Sequence, residues 1–398
     1  MESFLLYWLL FAGVVLGFLL GRYSRKARTS QNTAVNDVSI EYIRGLNHLL
    51  NEDADAAVDT FTDLLPVNSK TLDTHLALGG LLRRRGEVGR AIRLHQNLVK
   101  HEGLSKQDGQ KALLELGLDY LKAGVLDRAE DIFEQLQSAE DDDVCFKSLS
   151  YLAEIYRDEK EWQKAANVVD SMLRKKLPAN ASKWRAMQAH FYCEQAQQVL
   201  AAGEVKTARR FLSKAYMADD SCVRVSLQLA DLELAQGQFR QAIRYLKRVP
   251  EQDPDYIPEI LPGLLESYRA LGAVDELIDY LKQLQDRYPS TSVLISLADQ
   301  VQQHESEGAA VALLDQKLQS RPSLRVVGKF LDVYWRRKTK DAPDKEQTLI
   351  RSLLELLLTH KSYYRCGSCG FSGNQLHWQC PSCKNWGSIK AIKGLEGE

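Results

Sequence analysis

The sequence predicts an all-α chain in which a stack of two-helix repeats follows an N-terminal transmembrane helix and precedes a small metal-binding ribbon. Three observations support this fold class. The first 21 residues contain a long apolar run, a pattern of small and bulky residues recurs every 33 to 43 positions, and four cysteines form two CxxC pairs near the end. Only 10 prolines occur in 398 residues, which favours helix over most of the length.

The N-terminal apolar run is long enough to cross a bilayer. Residues 4–20 read FLLYWLLFAGVVLGFLL, and no charged residue lies between Ser3 and Gly21. At about 1.5 Å per residue this stretch spans roughly 28 Å, close to the hydrocarbon thickness of a membrane. A cleavable signal peptide is the alternative, but no basic residue precedes the run and no small-x-small cleavage site follows it. We therefore expect residues 1–21 to form a retained anchor.

The residues after the anchor indicate its orientation. Four basic residues follow it closely, namely Arg22, Arg25, Lys26 and Arg28. Under the positive-inside rule they hold the rest of the chain in the cytoplasm. Three cysteines outside the CxxC pairs (Cys145, Cys193 and Cys222) agree with a reducing compartment. Residues 22–37 are polar and aperiodic, so they are predicted to be a short flexible linker.

Residues 38–322 carry the repeat. A small residue recurs in the predicted first helix of seven units, with leucine in its place in one, at Gly45, Gly79, Gly117, Ala153, Ala196, Ala230, Leu265 and Ala298. Twelve positions later come Ala57, Ala91, Ala129, Ala165, Ala208, Ala242, Leu277 and Ala310. Four positions further come Phe61, His95, Phe133, Val169, Leu212, Leu246, Leu281 and Leu314. Small residues suit close helix crossings and bulky ones fill the space between units, so we predict about eight tetratricopeptide repeats here.

Proline positions agree with this register. Pro254, Pro289 and Pro322 fall where second helices of repeats should stop. Residues 323–361 are then predicted to form a final helix pair, at 324–337 and 345–361, that caps the stack.

The charge pattern excludes some functions and suggests a partner surface. A net charge of −1 gives no overall field that would attract nucleic acid, and the eight histidines are scattered without a catalytic motif, so we expect no enzyme activity. First helices of tetratricopeptide repeats line a groove. The register directs six basic residues toward it: Arg83, Arg84, Lys111, Lys122, Lys147 and Arg157. Such a cluster would suit an acidic or extended peptide, and a solvated helix face is the alternative.

The four C-terminal cysteines have the spacing of a metal site. Cys366 and Cys369 form one CxxC pair, and Cys380 and Cys383 form the other after ten residues. Each two-residue gap lets both sulfurs of a pair turn onto one ion. Two disulfides or a redox dithiol are the alternatives. Because four thiolates leave no position for water or substrate, residues 362–398 are predicted to hold one metal ion with a structural or electron-carrying role.

The order of anchor, repeats and ribbon, together with the ribbon sequence YYRCGSCGFSGNQLHWQCPSCKNWGSI, resembles the lipopolysaccharide assembly protein B family. The resemblance covers essentially the whole chain. It implies a bacterial inner-membrane adaptor that regulates lipopolysaccharide biosynthesis by helping the membrane-bound AAA protease FtsH degrade the lipid A deacetylase LpxC. A membrane-tethered scaffold for an envelope-assembly complex and a rubredoxin-type electron carrier are the alternatives.

The same resemblance describes the ribbon as rubredoxin-like, which implies iron at Cys366, Cys369, Cys380 and Cys383. Zinc remains the alternative, because tetrahedral sulfur ligation accepts either metal. The first pair is followed by Gly370, whereas the second is followed by Lys384, which departs from the glycine expected in such a turn.

Overall fold

The structure of the chain, a computed structural model, describes residues 71–177, 179–320, 322–338, 345–359, 361–395 and 397–398. The predicted anchor, the linker and the first predicted repeat lie outside these residues. Within the described part, no helix combines the length and the apolar composition that a membrane crossing requires. The chain divides into two compact units, 1–155 and 156–398.

The described part of the first unit is helical throughout. Its helices are α1 (Leu72–Arg85), α2 (Val88–Val99), α3 (Lys106–Ala123), α4 (Leu126–Leu136) and the beginning of α5 (Asp142–Asp158). Gly86 follows α1 and Gly124 follows α3, and both adopt a left-handed conformation, with φ of 86° and 75°. Glycine adopts this conformation without steric cost, so the chain can reverse within two residues and begin the second helix of the repeat.

The second unit continues the helix pairs and ends in a small sheet. Its complete helices are α6 (Trp162–Arg174), α7 (Ala181–Ala201), α8 (Val205–Ala218), α9 (Val223–Ala235), α10 (Phe239–Leu246), α11 (Val249–Gln252), α12 (Ile257–Leu271), α13 (Val274–Arg287), α14 (Thr291–His304), α15 (Glu307–Ser320), α16 (Leu324–Lys338) and α17 (Lys345–Thr359). A short 3₁₀ turn, Pro254–Tyr256, precedes α12. Pro254, Pro289 and Pro322 follow the ends of α11, α13 and α15, as predicted.

The predicted repeat register is confirmed by burial. From Ala91 to Ala310, every described member of the second series is at most 1% exposed, and from His95 to Leu314 every member of the third is at most 2% exposed. A β-carbon on Gly117 would lie 2.6 Å from the ring of Phe133, so the small residue is required where the two helices cross.

One repeat departs from the pattern without leaving the register. Leu265 stands where the other described repeats have glycine or alanine, and it is only half-buried. Its neighbour Leu264 is fully buried, as are the residues that precede the small position in the other repeats, such as Leu116 and Leu152. Leu277 and Leu281, 12 and 16 positions after Leu265, are also buried, so the register holds in this repeat.

Candidate metal centre

The C-terminal ribbon is a three-stranded antiparallel sheet that carries two cysteine turns. Its strands are β1 (Tyr364–Cys366), β2 (Ser372–Gly373) and β3 (Ile389–Ala391), in the order β2-β1-β3. Cys366 pairs with Ile389 across the sheet, and both side chains are buried. The first cysteine turn joins β1 to β2, and the second lies in the connection from β2 to β3.

The two cysteine turns have the same backbone hydrogen bond. The N–H of Gly370 donates to the carbonyl of Cys366 at 3.0 Å, and the N–H of Lys384 donates to the carbonyl of Cys380 at 2.9 Å. Both residues are left-handed, with φ of 80° at Gly370 and 60° at Lys384. The second turn therefore closes like the first although it lacks glycine, and Lys384 adopts a conformation that is unfavourable for residues with a β-carbon.

The four sulfur atoms have the spacing that a tetrahedral metal ion requires. The Sγ atoms of Cys366 and Cys383 are 3.7 Å apart, as are those of Cys369 and Cys380. All four lie within 4.8 Å of one another. Metal–sulfur bonds of about 2.3 Å in a tetrahedron separate the sulfurs by about 3.8 Å. The cysteines are free rather than joined as disulfides, so the cluster is suited to one ion.

Hydrogen bonds around the cluster favour the thiolate that a metal binds. The Sγ of Cys366 lies 3.3 Å from the hydroxyl oxygen of Ser388, and the N–H of Ser368 donates to the same sulfur at 3.4 Å. The Ser388 hydroxyl, together with nearby backbone N–H groups, lowers the pKa of the Cys366 thiol to about 6. His377 lies outside the cluster, and its ring contacts Phe371 edge-on at 6.4 Å.

The ribbon docks on the helices of the second unit through two tryptophans. The Trp386 ring stacks on His190 of α7, with centroids 4.8 Å apart and planes inclined by 15°. Its edge-on neighbours are Trp162 of α6 and Phe191 of α7, each at 6.2 Å. Trp378 stacks on Tyr256 of the 3₁₀ turn at 5.4 Å. We refer to Trp162, His190, Phe191, Arg224 and Tyr256 as the docking cluster.

Arg224 of α9 is the charged member of the docking cluster. Its side chain is only 2% exposed, and its guanidinium lies 5.9 Å from the Trp378 ring centre and 5.8 Å from that of Trp386. On the helix side it contacts a carboxylate oxygen of Glu194 at 2.9 Å and donates to Gln197 at 2.8 Å. Two indole faces and one carboxylate thus offset the cost of burying this cation.

The neighbouring histidine is neutral. Burial, reinforced by the charge of Arg224, lowers the pKa of His190 to about 3. The stack between His190 and Trp386 is therefore a contact between uncharged rings throughout the physiological pH range.

Polar contacts hold the rest of the ribbon. The hydroxyl of Tyr256 donates to the carbonyls of Gly387 and Ile389, each at 3.1 Å, and the hydroxyl of Tyr364 donates to Glu259 at 2.7 Å. Lys390 contacts the carboxylates of Asp253 and Asp255, at 2.8 and 2.9 Å. These bonds attach β1 and β3 to residues that precede or begin α12.

Residues after β3 reach further along the helices. The carboxylate of Glu398 accepts from the Ser290 hydroxyl at 2.7 Å and from the Ser292 N–H at 3.0 Å, at the start of α14, and contacts Arg325 of α16 at 2.6 Å. Burial opposes its ionisation, but the serine hydrogen bonds and Arg325 hold the pKa of Glu398 below its ordinary value. Gly397 permits the turn, because a β-carbon there would lie 1.8 Å from the carbonyl oxygen of Ile392.

The docking surface was predicted only in part. Because only four residues separate the predicted helix 345–361 from Cys366, the sequence predicts that the ribbon docks on the terminal repeats and that some of its aromatic residues pack on the cap at 323–361. The contacts of Glu398 with Ser290, Ser292 and Arg325 agree with the first expectation. The tryptophans instead pack on α6, α7, α9 and the 3₁₀ turn, and Tyr363 remains 55% exposed. One sequence feature could have indicated this surface: Arg224 is a single charged residue within the apolar segment CVRVSLQLA.

The six basic residues predicted to face a groove differ in their surroundings. In the first unit, Arg83 contacts Glu115 at 2.7 Å and the fully buried Asp119 at 2.8 Å, and Asp119 also lies 2.5 Å from the ring of His95. Arg83 thus compensates buried charge within the unit. His95 belongs to this polar cluster and packs against Gly79, which agrees with a structural histidine.

The other five range from exposed to largely buried. In the first unit, Arg84 and Lys122 are exposed, Lys111 is half-buried, and the exposed Lys147 contacts Asp143 at 2.7 Å. In the second unit, the Arg157 side chain is 15% exposed and contacts Asp158 at 3.0 Å.

The left-handed conformation of Lys384 leads to a first prediction. Lys384→Gly removes the conflict between the β-carbon and the backbone, so we expect it to stabilise the ribbon by about 1 kcal/mol. The matched control is Ser382→Gly in the same turn, where φ is not positive and glycine should destabilise by about 0.5–1 kcal/mol. The measurement is the urea midpoint for proteolytic cleavage within residues 361–398. Equal shifts of the urea midpoint in both variants would show that the backbone of Lys384 is not strained.

The docking cluster leads to a second prediction. Trp386→Ala removes the contacts to Trp162, His190 and Phe191, and because Trp386 is half-buried we expect a cost of about 2 kcal/mol, below that of a core aromatic residue. We expect the ribbon to be cleaved faster by protease while the helices stay intact by circular dichroism. Tyr363→Ala removes an exposed aromatic residue of the same ribbon and should leave cleavage unchanged. Equal protection of the two variants would show that the stack does not hold the ribbon.

Comparisons with known proteins agree with this architecture. Residues 114–181 and 199–267 match the tetratricopeptide repeat, and residues 364–391 match the rubredoxin metal binding domain. The chain is 35% identical over 393 residues to lipopolysaccharide assembly protein B of Escherichia coli K12, with 99% of both chains covered. It is 33% identical over 401 residues to the protein of the same name from Haemophilus influenzae, covering 98% of this chain and 99% of that one. The chain therefore belongs to the lipopolysaccharide assembly protein B family.

Proposed function

We propose that this protein is an inner-membrane adaptor of lipopolysaccharide assembly, in which the repeats bind partner proteins and the metal ribbon fixes the arrangement of the helices that carry it. The observation that carries the proposal is the similarity to lipopolysaccharide assembly protein B along 99% of both chains. Repeats of this kind recognise proteins through extended helical surfaces and need no catalytic group of their own.

The proposal includes the membrane anchor. Residues 1–21 cross the inner membrane once, residues 22–37 connect them to the repeats, and the repeats and ribbon lie on the cytoplasmic side. The supporting observations are the uncharged stretch from Ser3 to Gly21 and the basic residues that follow it. Such an anchor confines the repeats beside other membrane proteins, which raises their effective concentration for one another.

The partners that we propose are the membrane-bound protease FtsH and the deacetylase LpxC. An adaptor accelerates proteolysis by holding a substrate next to its protease, so binding alone accounts for its effect. In this proposal the chain lowers the amount of LpxC and thereby restrains lipopolysaccharide synthesis.

Arg84 and Lys122 are the best candidates for contacting a partner in the first unit. They are exposed and lie near the ends of α1 and α3, the first helices of successive repeats. Their charge suits an acidic segment of a partner. Arg83 is unsuitable for this test, because its replacement would leave the buried Asp119 without a cation and would destabilise the unit.

A charge reversal tests the surface and the partners together. In cells whose sole copy of the protein is this chain, Arg84→Glu with Lys122→Glu should lengthen the half-life of LpxC at least about tenfold, because unlike charges across an interface become like charges. The control is Arg93→Glu with Lys100→Glu, an equal charge change at exposed sites on and next to α2. An unchanged LpxC half-life in the test variant would show that Arg84 and Lys122 do not contact the partners. An LpxC half-life that stays the same when the whole protein is deleted would show that LpxC is not its client.

We further propose that the four-cysteine site binds one iron ion, with zinc as the alternative. The sulfur spacing and the match to a rubredoxin metal binding domain support a single tetrahedral ion. Residues Cys366, Cys369, Cys380 and Cys383 would hold it, and the bound ion would supply the cross-link that so small a ribbon needs to fold.

Metal analysis of the purified full chain distinguishes the two ions. We expect one iron per chain and a visible sulfur-to-iron charge-transfer band, which zinc cannot give because its d shell is filled. Cys380→Ser should lose both signals and expose the ribbon to protease. One zinc per chain without visible absorption would show that the bound ion is zinc and not iron. A metal-free chain whose ribbon is still protected from protease would contradict the proposed metal site.

A further inference from the structure

The last helix, α17, exposes a continuous apolar face. Five large side chains point to solvent: Leu349 is 60% exposed, Ile350 42%, Leu353 51%, Leu356 57% and Leu357 54%. They occupy positions i, i+1, i+4, i+7 and i+8, which fall on one side of a helix. No residue of α17 is buried in the chain.

The charged residues of α17 fix its orientation. Arg351 contacts Asp332 of α16 at 2.9 Å and Glu355 at 3.8 Å. Arg351 and Glu355 each lie two positions from Leu353, which is about 200° around a helix. The side that carries Arg351 therefore faces α16, and the apolar face points away from it.

The size of this face is unusual for a surface that meets only water. Five aliphatic side chains that are about half exposed present on the order of 500 Å², which is near the upper end of the largest apolar patches on monomeric proteins. Paired with an equal face, the patch would bury about 1,000 Å² in total, which is the lower limit for a specific protein interface.

We propose that this apolar face is the contact between two copies of the chain, with the two α17 helices antiparallel. The five residues are arranged symmetrically about Leu353. Leu349 and Leu357 lie four positions before and after it, and Ile350 and Leu356 lie three positions before and after it. A two-fold axis at Leu353 therefore brings apolar positions of one copy against apolar positions of the other. Such a self-complementary surface is what a symmetric dimer requires.

The charge of α17 disfavours a membrane surface as the occupant. Its charged residues are Lys345, Glu346, Arg351 and Glu355, two basic and two acidic. Helices that lie in the membrane interface usually carry an excess of basic residues on their polar side, which attracts anionic lipids. A balanced polar side with an apolar face suits another protein helix instead.

The two-fold axis gives a sharp test at Leu353, because this residue meets its own copy. Leu353→Glu and Leu353→Lys each place like charges together at the axis. We expect each to raise the dimer dissociation constant about 100-fold or more, and a mixture of the two to associate again through opposite charges. The control is Ser352→Glu, an exposed neighbour about 100° away around the helix.

The measurement is sedimentation equilibrium of the metal-loaded full chain in density-matched detergent, with circular dichroism to verify folding. The mixed sample uses differently tagged copies, and co-purification reports their association. A wild-type chain that remains monomeric at high micromolar concentration overturns the proposal, and would indicate another occupant such as residues 1–70. A dimer that Leu353→Glu does not weaken also overturns it, as does a failure of the mixed variants to associate.

Discussion

The contact of the ribbon with the helices is the constraint on which the second unit depends. In a stack of repeats each unit contacts only its neighbours, so stability is a sum of local terms. The ribbon adds contacts of another kind: Tyr256 bonds to Gly387 across 131 positions of sequence, and Ser290 to Glu398 across 108. A domain of about thirty residues thereby joins helices from α6 to α16. A change that displaces the ribbon removes contacts from each of these helices.

The helices and the ribbon depend on each other, and Arg224 shows this most clearly. The helices hold a buried cation that lies over the rings of Trp378 and Trp386 of the ribbon, so the surroundings of Arg224 are complete only when the ribbon is present. The ribbon has a core of three buried residues, Cys366, Cys380 and Ile389, and two of these belong to the metal cluster. So small a core agrees with our proposal that the ribbon needs both a bound ion and the helices to fold.

Sequence reasoning predicted those features that repeat or have fixed spacing. The burial of Ala129 and Phe133, and the turns after Pro289, follow from a pattern that eight copies reinforce, and the sulfur spacing follows from CxxC pairs. Contacts formed once were missed. No repeating sequence pattern indicates that His190 stacks on Trp386. Nor does one indicate that Arg83 forms an ion pair with Asp119 instead of contacting a partner protein.

The large sequence separation of the ribbon contacts also sets the order in which the chain can assemble. Local helix pairs form early, whereas contacts across more than a hundred residues carry a large loop-closure cost and form late. During synthesis, which proceeds from the N-terminus, the surface around His190 and Phe191 leaves the ribosome almost two hundred residues before Trp386, the residue that covers it. The nascent protein thus passes through a stage with folded repeats and an open apolar surface, and if the ribbon folds only with its ion, as we propose, metal supply sets the length of that stage.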